Sequence, residues 1–350
     1  MVLGLVFLVG GAEILVRGAS NLASSWGISS LVVGLTVVAF GTSSPELAVS
    51  VKSVLAGQSG IATGNVIGSN IFNVLFILGL SAIITPLVVS QQLIRLDVPL
   101  MIAASGLVWL FALDGQLGFI EGAILFGSLL AYIVFLIRQS KKSPPAAPLE
   151  QEEEGSKAAP LHWSVNVLMV GVGLVLLVMG SRWLVTGAVS LAQIMGVSDV
   201  VIGLTVVAAG TSLPEVVTSV IASLRGERDI AVGNVVGSNL FNLLGVLGIS
   251  SLLAPSGIDV SASLIHFDLP IMTVVAFACL PIFFSGGRIS RWEGFVLFAY
   301  YVAYTACLVL ANSQHDALPL FSGTMLYFAI PLTVITLVAI ALKERRDSLA

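Results

Sequence analysis

The sequence predicts an all-α polytopic membrane protein, built from two inverted-topology repeats of five transmembrane helices plus one extra C-terminal helix. The first observation behind this prediction is composition. Of the 350 residues, 57% are hydrophobic and 10% are charged, and the mean hydropathy is +1.05. These values lie far from those of a soluble domain. The other two observations are an internal duplication and the uneven placement of the basic residues.

Apolar stretches long enough to cross a bilayer recur along the chain, since a hydrocarbon core of about 30 Å needs roughly 20 residues of helix. The first half has five predicted spans, at about 2–22, 30–56, 61–88, 96–113 and 118–138. The second half has five more and an unmatched eleventh, at about 164–193, 199–224, 229–254, 267–285, 291–312 and 324–342. The lipid bilayer is therefore an expected partner, and no sizeable soluble domain is left over.

One polar segment divides the chain. Residues 139–162 are rich in proline, charge and small side chains, which is typical of a solvated linker. The predicted domains are a first repeat, this linker, a second repeat, and an extra helix with a basic tail. Their bounds are 1–138, 139–162, 163–312 and 313–350.

The two halves are copies of one unit. LVVGLTVVAFGTS at 31–43 matches VVIGLTVVAAGTS at 200–212 in ten of thirteen positions, at an offset of 169. The same offset pairs GTSSPE with GTSLPE, and GNVIGSNIFN with GNVVGSNLFN. Because five spans is an odd number, the second copy enters the membrane from the opposite side. A pseudo-two-fold axis in the membrane plane then relates the copies.

The basic residues orient the chain, because Lys and Arg are enriched in cytoplasmic loops. With a cytoplasmic linker, thirteen of the fifteen Lys and Arg residues fall at or near cytoplasmic ends, and only Lys52 and Arg182 fall toward the outside. This distribution predicts a multi-pass protein with an external N-terminus and a cytoplasmic C-terminus.

The second and seventh spans should be broken helices. Pro45 lacks an amide hydrogen and disfavours helical geometry at Ser44, and Gly210 and Pro214 impose the same break in the second copy. Each break exposes backbone carbonyls and hydroxyls beside one carboxylate, Glu46 or Glu215. Broken helices of this kind mark transport sites near the bilayer midplane.

Helix capping is the structural alternative, because Ser43 to Glu46 and Ser212 to Glu215 both fit the Ser-x-x-Glu capping box. Capping explains the spacing, but not why an ionisable side chain lies deep in the membrane twice. Such a side chain costs about 2.5–3.5 kcal/mol on insertion scales. We therefore favour a functional role for Glu46 and Glu215, with which capping is compatible.

The third and eighth spans add polar groups at helical spacing. Ser69 and Asn73 lie four residues apart on one face, as do Ser238 and Asn242. The glycines of these motifs favour close helix packing instead. We interpret the recurring Ser and Asn pairs as ligands beside the broken helices.

These groups offer carboxylate, hydroxyl, amide and carbonyl oxygens without Cys or His, which selects hard cations such as calcium and sodium. Two carboxylates carry a charge of about −2, which one calcium ion, two sodium ions or two protons would balance. Competition for that charge is an exchange mechanism. We predict a secondary antiporter, not an enzyme, with calcium and sodium as cargo and no resident cofactor.

The repeated motifs closely resemble the two alpha repeats of the sodium/calcium exchanger family, over about residues 1–312. The resemblance implies ten core helices and alternating access by sliding of a two-helix gate bundle. It implies calcium held by both glutamates, with carbonyl oxygen from Thr42 and Thr211. Sodium would use Ser43, Ser69, Ser212 and Ser238, with carbonyl help from Ala39 and Ala208, while Asn73 and Asn242 line the centre.

Two departures from the family pattern stand out. Asn242 occupies a position where some members, including potassium-dependent ones, carry Asp, so a third central carboxylate and potassium coupling are not implied here. The eleventh helix is outside the shared core. The short linker resembles that of prokaryotic members, which implies a bacterial or archaeal cytoplasmic membrane.

Other functions fit less well. A calcium or sodium antiporter coupled to protons is the nearest alternative, because two glutamates also titrate. An intramembrane enzyme needs a reactive pair that the spans lack, and a channel needs no mirrored carboxylate site. No nucleic-acid partner is implied. Asp97 and Asp268 are expected to cap helices, and Glu13, matched by Arg182, has no assigned role.

Overall fold

The computed structural model describes residues 1–142, 162–195, 208–284 and 286–334. Most of the predicted linker, the first part of the seventh span and the end of the eleventh span with its basic tail lie outside these ranges. Within them the protein is nearly all helical. Eight of the described helices are long and apolar enough to cross a membrane singly, and a ninth span is a bent pair.

The helices of the first copy begin and end close to the predicted spans. They are α1 Val2–Trp26, α2 Ser30–Thr42, α3 Ser44–Leu55, α4 Ser59–Ile84, α5 Leu93–Asp114 and α6 Phe119–Lys142. The second copy contains α7 Trp163–Ile194, α8 Ala208–Gly210, α9 Leu213–Leu224, α10 Arg228–Leu253, α11 Leu264–Phe284 and α12 Arg291–Asn312. The extra helix, α13, is described over Leu318–Val334.

The predicted helix break lies between α2 and α3, which are bent by 44° relative to each other. Pro45 is in the first turn of α3, where its missing amide hydrogen is not needed. Pro214 has the same position in α9, and Thr211 and Ser212 separate that helix from α8. The proline in each copy therefore starts a new helix near the middle of the span.

Four two-residue strands link the copies, and each pairs with a strand of the other copy. They are β1 Leu87–Val88, β2 Gln116–Leu117, β3 Ile258–Asp259 and β4 Arg288–Ile289. The first is antiparallel to the last, and β2 is antiparallel to β3. Since β1 matches β3 at an offset of 171 and β2 matches β4 at an offset of 172, the two pairings are equivalent by the internal two-fold. The length of α5 separates them, so they lie at opposite ends of the bundle.

Helices α4 and α10 form the centre of the bundle, and α10 is buried along its whole apolar length. Glycine allows neighbouring helices to approach them closely. A Cβ atom at Gly294 of α12 would lie 2.7 Å from the carbonyl oxygen of Gly79 in α4, and one at Gly122 of α6 would lie 2.9 Å from that of Gly248 in α10. Each outer helix therefore packs on the central helix of the opposite copy.

Asp97 and Asp268 do not cap helices, so that expectation was wrong. Both lie inside continuous helices, at the end of a π-helical turn that precedes a proline. Asp97 is fully buried and accepts a 2.9 Å hydrogen bond from the Tyr132 hydroxyl, and Asp268 accepts one of 2.7 Å from Tyr304. These carboxylates join adjacent outer helices within each copy.

Candidate functional site

The two glutamates lie in the first turns of α3 and α9, directly after the helix breaks. Glu46 is 0% exposed and Glu215 is 1% exposed. Both carboxylates therefore lie in the interior of the bundle. The structure therefore brings together the two residues that the repeat pattern singled out.

Each carboxylate is held by a serine of the other copy. Ser43 donates a 3.0 Å hydrogen bond to Oε1 of Glu215, and Ser212 donates one of 2.9 Å to Oε1 of Glu46. The Ser212 hydroxyl also lies 3.2 Å from the hydroxyl of Ser69. All three serines are buried. The two copies thus complete one shared site.

The capping alternative made a specific prediction that these contacts contradict. A capping serine accepts a hydrogen bond from the backbone of its own helix. Ser43 and Ser212 are the residues before α3 and α9, and neither side chain makes a capping hydrogen bond. Their hydroxyls point instead across the two-fold.

Two further asparagines fix the backbone around the carboxylates. Asn65 donates to the carbonyl of Glu46 (3.3 Å) and to Ser50 (3.1 Å), and Asn234 donates to Ser219 (3.0 Å). The hydroxyl of Thr42 donates to the amide oxygen of Asn234 at 3.0 Å. These bonds attach each broken helix to a central helix.

The centre between α4 and α10 is a cluster of four asparagines. Asn73 donates a 2.9 Å hydrogen bond to the side chain of Asn239, and Asn242 donates one of 3.2 Å to Asn70. Asn70 and Asn239 were absent from the predicted site. Their position three residues before Asn73 and Asn242, hence on the same helical face, is the signal that would have identified them.

The remaining predicted residues are placed as follows. Ser238 is fully buried, and Thr211 is half-buried, with its hydroxyl 3.5 Å from the side-chain oxygen of Asn65. The carbonyl of Ala39 accepts a 3.0 Å hydrogen bond from the amide of Ser43. Ala208 begins α8, at the matching place in the second copy.

Several buried oxygens in this centre have no hydrogen-bond partner within the described part of the chain. They belong to predicted site residues of both copies: Oε2 of Glu46, Oε2 of Glu215, Oδ1 of Asn73, Oδ1 of Asn242 and Oγ of Ser238. Buried polar atoms are nearly always hydrogen-bonded in folded proteins. Unsatisfied oxygens from five site residues therefore mark a place suited to a cation, which accepts electron pairs from oxygen ligands.

The chemistry of the site is that of a hard-cation ligand set. Its donors are carboxylate, amide, hydroxyl and carbonyl oxygens, which suit calcium and sodium. Among the described residues, no group of three or more His, Cys, Asp or Glu side chains is arranged to hold a metal. The formal negative charge of the site thus comes from Glu46 and Glu215 alone.

Several known proteins are similar to this chain. The profile of the family described as sodium/calcium exchanger protein matches residues 1–138 and 165–310. The chain is 39% identical over 308 residues to the putative antiporter CaxA of Alkalimonas amylolytica, covering 87% of this chain and 96% of that protein. It is 32% identical over 348 aligned residues to the sodium/calcium exchanger MaX1 of Methanosarcina acetivorans, covering 88% and 97%.

A solved structure shares the architecture. The sodium-calcium exchanger NCX_Mj, in crystals soaked with sodium and calcium, superimposes with a TM-score of 0.75 at 28% sequence identity. The match covers 87% of this chain and 96% of that one. The likeness thus extends over both repeats.

Proposed function

The chain belongs to the sodium/calcium exchanger protein family, and from that premise we propose that it exchanges sodium for calcium by alternating access at the site between Glu46 and Glu215. Members of the family are transporters, so the chain is a multi-pass membrane antiporter and not an enzyme. The proposal concerns the coupled ions and the residues that hold them.

The unsatisfied oxygens carry the proposal. Glu46 and Glu215 each use one carboxylate oxygen to accept a serine hydroxyl and leave the other, Oε2, unpaired. A calcium ion takes six to eight oxygens at about 2.3–2.6 Å. The free carboxylate oxygens, together with carbonyl oxygens of Thr42 and Thr211, form the core of such a ligand set.

Sodium would use the hydroxyls around the same carboxylates. The proposed ligands are Ser43, Ser69, Ser212 and Ser238, with carbonyl oxygens of Ala39 and Ala208. Asn73 and Asn242, whose amide oxygens are buried without a hydrogen-bond partner among the described residues, would line the centre of the site. Three of these serine and asparagine side chains come from each copy, in matching pairs, as a shared site requires.

Charge balance explains why binding of the two ions is mutually exclusive. Two ionised carboxylates in a buried site cost several kcal/mol unless cations compensate them. One calcium ion or two sodium ions supply that compensation, and all of them together would leave the site strongly positive. Sodium entry therefore displaces calcium.

We further propose that the chain lies in a cytoplasmic membrane with its N-terminus outside and its C-terminus inside. The support is the placement of thirteen of fifteen basic residues at cytoplasmic ends. In this orientation the β1–β4 pair lies at the cytoplasmic end of the bundle and the β2–β3 pair at the external end.

Radioactive calcium uptake into proteoliposomes tests the function. Vesicles loaded with sodium should take up calcium when diluted into sodium-free buffer, and Glu46→Gln or Glu215→Gln should abolish uptake. Glu121→Gln is the matched control, because Glu121 binds only the local backbone of Gly118 in the described contacts and lies outside the site.

The same vesicles separate sodium coupling from proton coupling. A pH gradient imposed without sodium should drive no calcium uptake. Equal uptake under a pH gradient would contradict sodium coupling and support the proton-coupled alternative. Full activity of Glu46→Gln would show that the glutamate pair is not needed for transport.

A further inference from the structure

Helices α1 and α7 pack against each other, and the contacts between them are symmetric about a two-fold axis. A Cβ atom at Gly4 would lie 2.9 Å from the carbonyl oxygen of Gly180, and one at Gly11 would lie 2.8 Å from that of Gly173. At an offset of 169, Gly4 matches Gly173 and Gly11 matches Gly180. The two close approaches are therefore equivalent by symmetry.

This pair is nevertheless displaced from the two-fold axis of the rest of the bundle. Gly41 packs against Leu174, and its counterpart Gly210 packs against Val185, so both glycines contact α7. An undisplaced pair would instead place Gly210 against Leu5, the counterpart of Leu174. The α1–α7 pair is thus displaced from the two-fold axis toward the second copy, and we describe this position as leaning toward that copy.

The displacement covers one broken helix more than the other. Helix α1 packs along α9, where Val217 and Ile221 are half-buried. The matching residues of α3, Ala48 and Lys52, are exposed. An inverted repeat has a second arrangement of equivalent geometry, in which the pair leans the other way and covers α3.

Polar contacts hold the pair in the observed position. Glu13 of α1 forms an ion pair with Arg225 at the end of α9, with Oε2 2.6 Å from Nε, and it also binds Arg17 at 3.0 Å. Ser181 of α7 donates a 2.6 Å hydrogen bond to the carbonyl of Gly210, the last residue before the second helix break. We call the Glu13–Arg225 and Ser181–Gly210 contacts the anchor contacts.

The first copy lacks the residues to make equivalent contacts. Glu13 is matched by Arg182 and Arg225 by Ala56. The symmetry-related positions therefore hold one basic residue and no acidic one, so no ion pair can form there. Ser181 is matched by Ala12, which has no hydroxyl. The anchor contacts can therefore form only when the pair leans toward the second copy.

We propose that Glu13 and Ser181 are positioning residues that bias the exchange cycle toward the conformer in which α1 covers α9. They act on the relative stability of the two conformers and do not bind the transported ions. This role goes beyond the identity of the ions, because it holds for whichever cations the site exchanges.

Cysteine labelling of the full-length protein in ion-free detergent solution measures the bias. In a Cys279→Ala, Cys307→Ala background, a small maleimide reports the rate at Ile221→Cys or at its counterpart Lys52→Cys. The parent should react faster at position 52. Since a part-exposed ion pair is worth little, Glu13→Gln should change the ratio of the two rates by about two- to fivefold in favour of position 221.

Further variants make the result specific. Arg225→Gln should match Glu13→Gln, and the double variant should label no faster at position 221 than either single one. Ser181→Ala should shift the ratio in the same direction, while Arg182→Gln, at the symmetry-related position of Glu13, should not. Transplanting the pair with Arg182→Glu and Ala56→Arg in a Glu13→Gln protein should shift the ratio further in favour of position 221 than Glu13→Gln does alone.

An unchanged ratio in a Glu13→Gln protein that elutes as a single folded species would overturn the proposal, as would additive effects of Glu13→Gln and Arg225→Gln. If Glu13→Gln does not fold, Ser181→Ala decides the question by the same ratio, and no shift there rejects the anchor.

Discussion

The hydroxyl of Ser43 donates a hydrogen bond to Glu215, a residue 172 positions away in the other copy. Ser212 and Glu46 make the equivalent contact. Each half of the chain therefore orients the carboxylate of the other half, and neither half contains a complete site. This reciprocity leads to predictions about the site, and the surrounding packing leads to predictions about stability.

Ser43→Ala and Ser212→Ala should each weaken cation binding. A hydrogen bond to a charged group is worth about 1.5–3 kcal/mol, so we expect roughly a tenfold loss of calcium affinity or more. Equilibrium binding of radioactive calcium to the purified protein measures this. Ser44→Ala is the control, since Ser44 donates to the backbone of Phe40 and not to the site. Equal losses in all three variants would contradict the assigned role.

Asn239→Ala should destabilise the centre of the bundle. The change leaves the amide of Asn73 without its acceptor, and an unsatisfied buried donor costs about 1–3 kcal/mol. Thermal unfolding in detergent, followed by tryptophan fluorescence, should show a lower midpoint than the parent. Asn21→Ala removes an exposed asparagine of α1 and should leave the midpoint unchanged.

Tyr132→Phe should cost more stability than Tyr304→Phe. Both changes remove a hydroxyl that binds an aspartate, but Asp97 is fully buried whereas Asp268 is half-buried, so the first change leaves the more deeply buried oxygen without its donor. We expect about 1–3 kcal/mol for the first change and less for the second. The same unfolding assay ranks them, and an inverted order would show that burial does not decide the cost.

Gly173→Ala should impair both folding and transport. An added Cβ atom would lie 2.7 Å from the amide nitrogen of Leu15, so α1 and α7 would have to separate. Overpacking of this kind costs about 1–3 kcal/mol. Gly171→Ala is the control on the same helix, because nothing described lies within 4 Å of its Cβ position. Transport in proteoliposomes should be retained by the control and reduced in Gly173→Ala.

Much of the fold was predictable because it depends on local sequence. Uninterrupted apolar runs define the spans to within a few residues, and Pro45 and Pro214 locate the helix breaks. Asp97 was misjudged because the sequence before Pro99 suggested a helix start. A π-helical turn at Leu93–Asp97 allows the helix to continue through the proline, and such turns have no clear signal in a single sequence.

The residues of the site were predictable from the sequence, but the contacts between them were not. The repeat identified Glu46 and Glu215 because an ionisable residue inside a membrane is costly, and its recurrence at matching positions of both copies indicates a function. Nothing in the sequence shows that Ser43 contacts the glutamate of the opposite copy and not its own. The helical spacing of Asn70 and Asn239 places them on the face of Asn73 and Asn242, but their cross-copy hydrogen bonds arise only where α4 crosses α10.

The strand pairs at the two ends of the bundle also bear on how such a chain arose. An unfused copy would present one unpaired edge at each membrane surface, and its natural complement is a second copy inserted upside down. That contact is isologous, as in a two-fold dimer. The present chain is then the covalent form of an antiparallel two-chain assembly, and fusion allowed its halves to diverge at positions such as Glu13 and Arg182.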